Sequence, residues 1–115
     1  VSEVKAEKNE ELLRQMTQMD EGASMLGECA LVPFESPINA SGILFYETLY
    51  DENACCHLAL GRGFPDCLKG YETMTTEEYH KNGINTSMIH VDFMIGSRDL
   101  DITGITRGTW AFDVK

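Results

Sequence analysis

The stretch Ile89 to Gly104, "IHVDFMIGSRDLDITG", constrains this chain more than any other feature of its sequence. Its first half alternates like a strand, in which side chains two residues apart share a face. Val91, Phe93 and Ile95 then form one apolar face, expected to pack on the core, while His90 and Asp92 stand together on the other. Burying an imidazole or a carboxylate without a partner costs several kcal/mol. A fold that accepts this strand has to supply something for both.

Other polar groups interrupt apolar runs in the same way. They are Glu28 in "LGECALV" and His57 in "CCHLAL", with Glu52 five residues before His57. Taken singly, each has a bland reading: a buried histidine is usually a hydrogen-bonded core side chain, and a glutamate at a strand start usually faces water. Taken together they are two imidazoles and three carboxylates, the ligand set of borderline-hard divalent metals such as zinc, cobalt and manganese. A buried cluster of this kind needs compensating positive charge, and a metal supplies it. The four cysteines, Cys29, Cys55, Cys56 and Cys67, contain no C-x-x-C pair, so a zinc knuckle is not expected. Without an export signal they read as reduced thiols.

The rest of the chain gives an α+β order. Leu12, Leu13, Met16 and Met19 recur at helical spacing, which predicts an amphipathic helix over Glu7 to Met19 with that stripe on the core. A break at Asp20 to Gly22 and a short helical turn lead to the strand candidate "GECALVPF". "SPINASG" carries the turn formers of a loop, and "ILFYETLY" after it is apolar nearly all round, as a buried short helix would be. "ACCHLAL" reads as a buried strand. Thr75 with Glu78 three residues on makes a capping box for a helix through Lys81, stopped by Asn82 and Gly83. "LDITGI" and "GTWAFDV" are two more strand-like runs, and "GRGFPD" fits no phosphate-binding fingerprint.

Charge and length limit the function classes. At 115 residues with 43% hydrophobic content, the chain is expected to form one domain spanning residues 1–115. Its 19 acidic against 9 basic residues give a net charge of -10, which repels phosphate backbones and anionic lipid surfaces. Neither nucleic acid nor membrane is an expected partner. No apolar run approaches the roughly 20 residues that span a bilayer, and the start "VSEVKAEKNEELL" has no h-region, so a cytoplasmic location is expected. A first residue of Val, running straight into helix, suggests a piece of something longer.

The segments "DEGASMLGECALVPFESPINASGILFYETLYDENACCHLALG" and "GINTSMIHVDFMIGSRDLDITGI" resemble the dinuclear metallo-aminopeptidases of the aminopeptidase T, aminopeptidase S and PepS type. The likeness runs from about Val1 to Phe112 and keeps the order Glu28, His57, His90, Asp92. It implies the C-terminal catalytic region of a larger two-domain enzyme, built on a small mixed or antiparallel sheet with a few helices. It further implies two divalent ions, zinc, cobalt or manganese, held by Glu28 as the bridging and catalytic glutamate together with Glu52, His57, His90 and Asp92. Their chemistry would release N-terminal residues from a peptide substrate.

Three departures accompany the resemblance. Family members are several times longer and draw another metal-binding glutamate from upstream, so the isolated chain is expected to be inactive. Phe64 stands where the family has a tyrosine thought to assist the reaction, and a phenyl ring donates no hydrogen bond. "GITRGTWAF", around Arg107, joins two runs that relatives separate by a longer hairpin. Surfaces that would meet the upstream region point to self-association, with a homodimer expected. The rival function class is a non-catalytic remnant acting as a binding or assembly module.

Overall fold

The computed structural model describes residues 1–106 and 109–114 of the chain. Three strands form one sheet in the order β1-β2-β3: β1 Leu26–Ala30, β2 His57–Gly61 and β3 His90–Met94. The main-chain bonds beside the strand ends fix their directions. Gly61 N–H donates to Met25 O at 2.8 Å and Arg62 N–H to Ile89 O at 2.7 Å, while beyond the other end of β2 Ile95 N–H donates to Cys56 O at 3.0 Å. The end of β2 therefore meets the starts of both neighbours, which makes the sheet antiparallel. Central β2 is the most buried strand, and Ala59 and Leu60 join Ala23, Cys56 and Ile89 in a small core. The two runs near the C-terminus pair as expected, β4 Ile102–Thr106 antiparallel to β5 Thr109–Val114, with a register shift between Gly104 and Ile105. Arg107 lies outside the described residues.

The chain divides into two compact units, Val1–Cys29 with Leu58–Asp92, and Ala30–His57 with Phe93–Lys115. In the first, α1 spans Glu10–Met16, shorter than the Glu7 to Met19 expected. It starts late because Asn9 sits in the left-handed region at φ 56°, and it ends where Thr17 Oγ donates to Arg14 O at 2.9 Å. The core-facing stripe is also corrected: no residue of α1 is buried, and Leu12 and Met19 are exposed. Long-range order comes instead from polar side chains. Asp20 caps a 3-10 turn at Glu21–Ser24 through Ala23 N–H at 2.8 Å and reaches across the sequence to Met88 N–H at 2.7 Å. Asn85 Nδ2 donates to Gly22 O and Gly61 O at 2.8 and 2.6 Å. The capping box of Thr75 and Glu78 is present, opening α4 at Thr76–Lys81, and Gly83 follows at φ 83°.

In the second unit two expectations reverse. "SPINASG" is a helix, α2 Pro37–Ser41: Ser36 Oγ accepts from Asn39 N–H, Pro37 stands at the first turn, and Gly42 closes it at φ 64°. The same residues that mark loops also start and stop helices, Pro at the beginning and Gly past the end. "ILFYETLY" is not a buried helix. Only its end enters a short helix, α3 Thr48–Asp51, and Ile43, Leu44, Tyr46 and Leu49 are exposed. Tyr46 at φ 56° interrupts any helix there, and Asp51 accepts from the N–H groups of Phe45 and Glu47, folding the segment into a loop.

Candidate metal centre

The three strands bring their polar residues together. Glu28 lies in the middle of β1, His57 opens β2, and His90 and Asp92 alternate along β3. One ligand atom from each of Glu28, His57 and Asp92 lies within 4.8 Å of the other two, near the separation of about 4 Å that ligands across one ion have. His90 Nε2 joins them at 3.2 Å from Glu28 Oε2 and 3.3 Å from Asp92 Oδ1. Glu52 belongs to the 3-10 turn Glu52–Ala54 and is not one of the clustered three.

Burial grades across this group. His57 is 1% exposed, the largest fully buried side chain described; Asp92 and His90 keep little exposure and Glu28 somewhat more. The opposite face of β3 behaves differently from expectation. Phe93 and Ile95, read from the alternation as core residues, are 40% and 37% exposed, so this end of the strand buries its polar face more than its apolar one. Alternation fixes which residues share a face, and the neighbouring elements decide which face is covered.

Both imidazoles are held from behind by main chain. His57 Nδ1 lies 3.0 Å from Cys55 O, and His90 Nδ1 lies 2.7 Å from Arg62 O. Phe64 adds a ring contact to His90, edge-on at 5.0 Å between centroids and 63° between planes. These carbonyls escaped the sequence reading because any residue can offer one. The available signal was a glycine inside an apolar strand, which often marks close backbone approach.

The donor set fits a divalent cation. Asp92 Oδ1 is buried and makes no hydrogen bond among the described residues, although His90 Nε2 stands 3.3 Å away. Two carboxylates and two imidazoles converging at low exposure leave negative charge with little water to screen it, which a metal would balance. A cleft of about 640 Å³ in the second unit, lined by Val32, Phe34, Cys55, Cys56, Gly96 and Arg98 among others, contains none of the five candidate ligands. No helix among the described residues is long and apolar enough to cross a membrane.

Comparison with known proteins identifies the family. Residues 1–112 match the family described as thermophilic metalloprotease (M29). Aminopeptidase AmpS of Bacillus subtilis (strain 168) is 48% identical over 122 residues, covering 97% of this chain and 30% of that protein. Aminopeptidase T of Thermus thermophilus is 48% identical over 103 residues, covering 90% of this chain and 25% of its own length. The solved structure of wild-type AmpT from Thermus thermophilus superposes with a TM-score of 0.78 at 43% identity, covering 97% of this chain and 30% of that one. The chain thus spans under a third of the length of the relatives it matches. A match over residues 1–112, with a shared fold at this identity, means that the chain belongs to the thermophilic metalloprotease (M29) family.

Proposed function

We propose that this chain supplies most of the metal centre of an aminopeptidase that releases N-terminal residues from peptides. One observation carries the reading: ligand atoms of Glu28, His57 and Asp92 gather within 4.8 Å, with His90 Nε2 against both carboxylates. Glu28, His57, His90 and Asp92, together with Glu52 and an upstream glutamate of the longer family members, would hold two divalent ions of the zinc, cobalt or manganese class. When bound, such ions acidify a water into a nucleophile and polarise the scissile carbonyl.

The chain's own residues bind, orient and exclude water. His57 and Asp92 are drawn out of solvent, where charge is less screened and donor positions stay fixed. Glu28 is the more open of the two clustered carboxylates. Phe64 lies against His90 at the position of the family's tyrosine and offers no O–H to a developing oxyanion. That ring is the observation favouring the second reading, a non-catalytic binding or assembly module. With the upstream ligand and the substrate-orienting walls of the longer relatives missing, the chain alone binds divalent ions weakly and turns over little or no substrate.

The test is calorimetric titration with zinc or cobalt beside an aminoacyl chromogenic assay, in wild type and Glu28→Ala. Weak binding that falls more than about 100-fold in Glu28→Ala is expected, because losing even an outer-sphere partner costs 10- to 100-fold. Equal binding by both proteins would overturn the metal reading. Robust turnover abolished by Glu28→Ala would instead overturn the claim of incompleteness.

A further inference from the structure

Each histidine of the polar cluster leans on a main-chain carbonyl, and a glycine of a different segment packs against the peptide that supplies it: Gly27 against Arg62 O itself, and Gly96 against Cys55 Cβ and Cys56 N, on either side of the Cys55 carbonyl. We infer that Gly27 and Gly96 are positioning residues, one for each imidazole: Gly27 sets the Arg62 carbonyl that fixes His90, and Gly96 sets the Cys55 carbonyl that fixes His57. The inference rests on the reading of these histidines as metal ligands, and it extends that reading to two residues that touch no metal.

The geometry is specific at both places. A Cβ built on Gly27 would come within 2.2 Å of Gly61 O and 2.5 Å of Arg62 O. Both obstacles are backbone, so relief requires the Gly61–Arg62 turn to move, and Arg62 O is the atom 2.7 Å from His90 Nδ1. A Cβ on Gly96 would come within 2.5 Å of Cys55 Cβ and 2.9 Å of Cys56 N. Gly96 N–H and Ile95 N–H both donate to Cys56 O, at 2.9 and 3.0 Å, so the segment after β3 is pinned against Cys55–Cys56 and cannot simply swing away. Cys55 O is the atom 3.0 Å from His57 Nδ1.

A carbonyl oxygen only accepts, so both contacts require the proton on Nδ1. Nε2 is then the nitrogen left to face the cluster, and for His90 that nitrogen is the one 3.2 and 3.3 Å from the two carboxylates. Fixing the tautomer and the ring through the far nitrogen is how outer-sphere partners raise the affinity of a histidine ligand. The two glycines are thus separable controls, because they pack against different peptides: Gly27 against Arg62 O, and Gly96 against the Cys55–Cys56 peptide that carries Cys55 O.

The experiment is long-range proton–nitrogen NMR on the metal-free protein, followed by cobalt titration read from the cobalt absorption bands. In wild type, Nδ1 of both His57 and His90 should carry a proton; exposed His80, with Nε2 2.7 Å from Thr86 Oγ, is the internal reference. Gly27→Ala should shift the nitrogen resonances of His90 and leave those of His57, and Gly96→Ala should do the reverse. Each should weaken cobalt binding by about 10-fold. Leu60→Ala, a truncation in the core at neither glycine, should leave both histidine patterns unchanged. The wild-type spectrum decides the protonation pattern even if neither glycine variant folds: an unprotonated Nδ1 on either histidine overturns the inference. So does a Gly27→Ala protein that folds with the His90 resonances and cobalt affinity of wild type. A wild-type protein that binds no cobalt but shows both Nδ1 protons removes the metal reading and leaves the two carbonyl clamps standing.

Discussion

The cluster on the sheet and the segment Ile43 to Tyr50 invert the usual rule in opposite directions. His57 is 1% exposed although its ring is polar, whereas Tyr46 is 89% exposed in a run that is apolar almost throughout. The difference lies in the main chain. His57 opens a strand paired on both sides, and its Nδ1 has a carbonyl to hold it. The 43–50 segment has lost helical geometry at Tyr46 and is tied by Asp51 just beyond it, and beside the Phe45–Tyr50 ring contact its large apolar side chains stay exposed. Burial follows from where hydrogen-bonded backbone can be built, and side-chain polarity is accommodated afterwards.

Truncating one leucine in each setting should sharpen that contrast most. Leu60→Ala, in the core beside the cluster, should lower unfolding free energy by about 2–5 kcal/mol, the usual cost of a large buried residue. Leu44→Ala, at an exposed position, should stay within about 0.5 kcal/mol. Denaturant melts read both, and equal losses would mean that the 43–50 segment is buried in solution.

Phe64 tests the boundary between the two kinds of region, since it is an exposed apolar ring resting on a polar site. On the proposed aminopeptidase reading, Phe64→Tyr in an active protein should raise turnover, with a barrier reduction of up to about 3 kcal/mol if the new O–H reaches an oxyanion. Unchanged kcat at equal metal content would show that the ring serves only to brace His90.

Two carboxylates sharpen the comparison at smaller scale. Both are half-buried, but Asp92 Oδ1 makes no hydrogen bond among the described residues, whereas the Asp20 carboxylate accepts from Ala23 N–H, Ser87 Oγ and Met88 N–H. The Met88 N–H above all, then Ser87 Oγ and the Ala23 N–H, hold the Asp20 carboxyl below its ordinary value, against a lesser opposing effect of desolvation. A group depressed in the folded state stabilises fully above its unfolded pKa, about 3.9 for Asp, and loses that contribution as pH falls through the folded value. Stability should therefore decline below about pH 4 in wild type, and Asp20→Asn should flatten part of that decline. Superimposable pH curves for the two proteins would remove Asp20 as a tie between the turn and the 87–88 segment.

What the sequence determined by itself was local or periodic. The capping box at Thr75 and Glu78 was legible because its two bonds join residues three apart, β3 because strand alternation needs no knowledge of neighbours, and β1 and β2 because each falls in a short apolar run. The same alternation placed His90 and Asp92 on one face before any partner was known, and the spacing of Glu28 and His57 carried the family likeness. Where one signal serves two structures, sequence was not enough: Ser36, Pro37 and Gly42 punctuate a loop or bound a helix, and they bound α2. Tertiary structure alone decided which face of β3 is covered, that no residue of the α1 stripe is fully buried, and that the carbonyls of Cys55 and Arg62 stand behind the two imidazoles. Those outcomes depend on backbone atoms brought together from distant segments, and a backbone atom leaves no mark in the sequence except where a glycine has to make room for it.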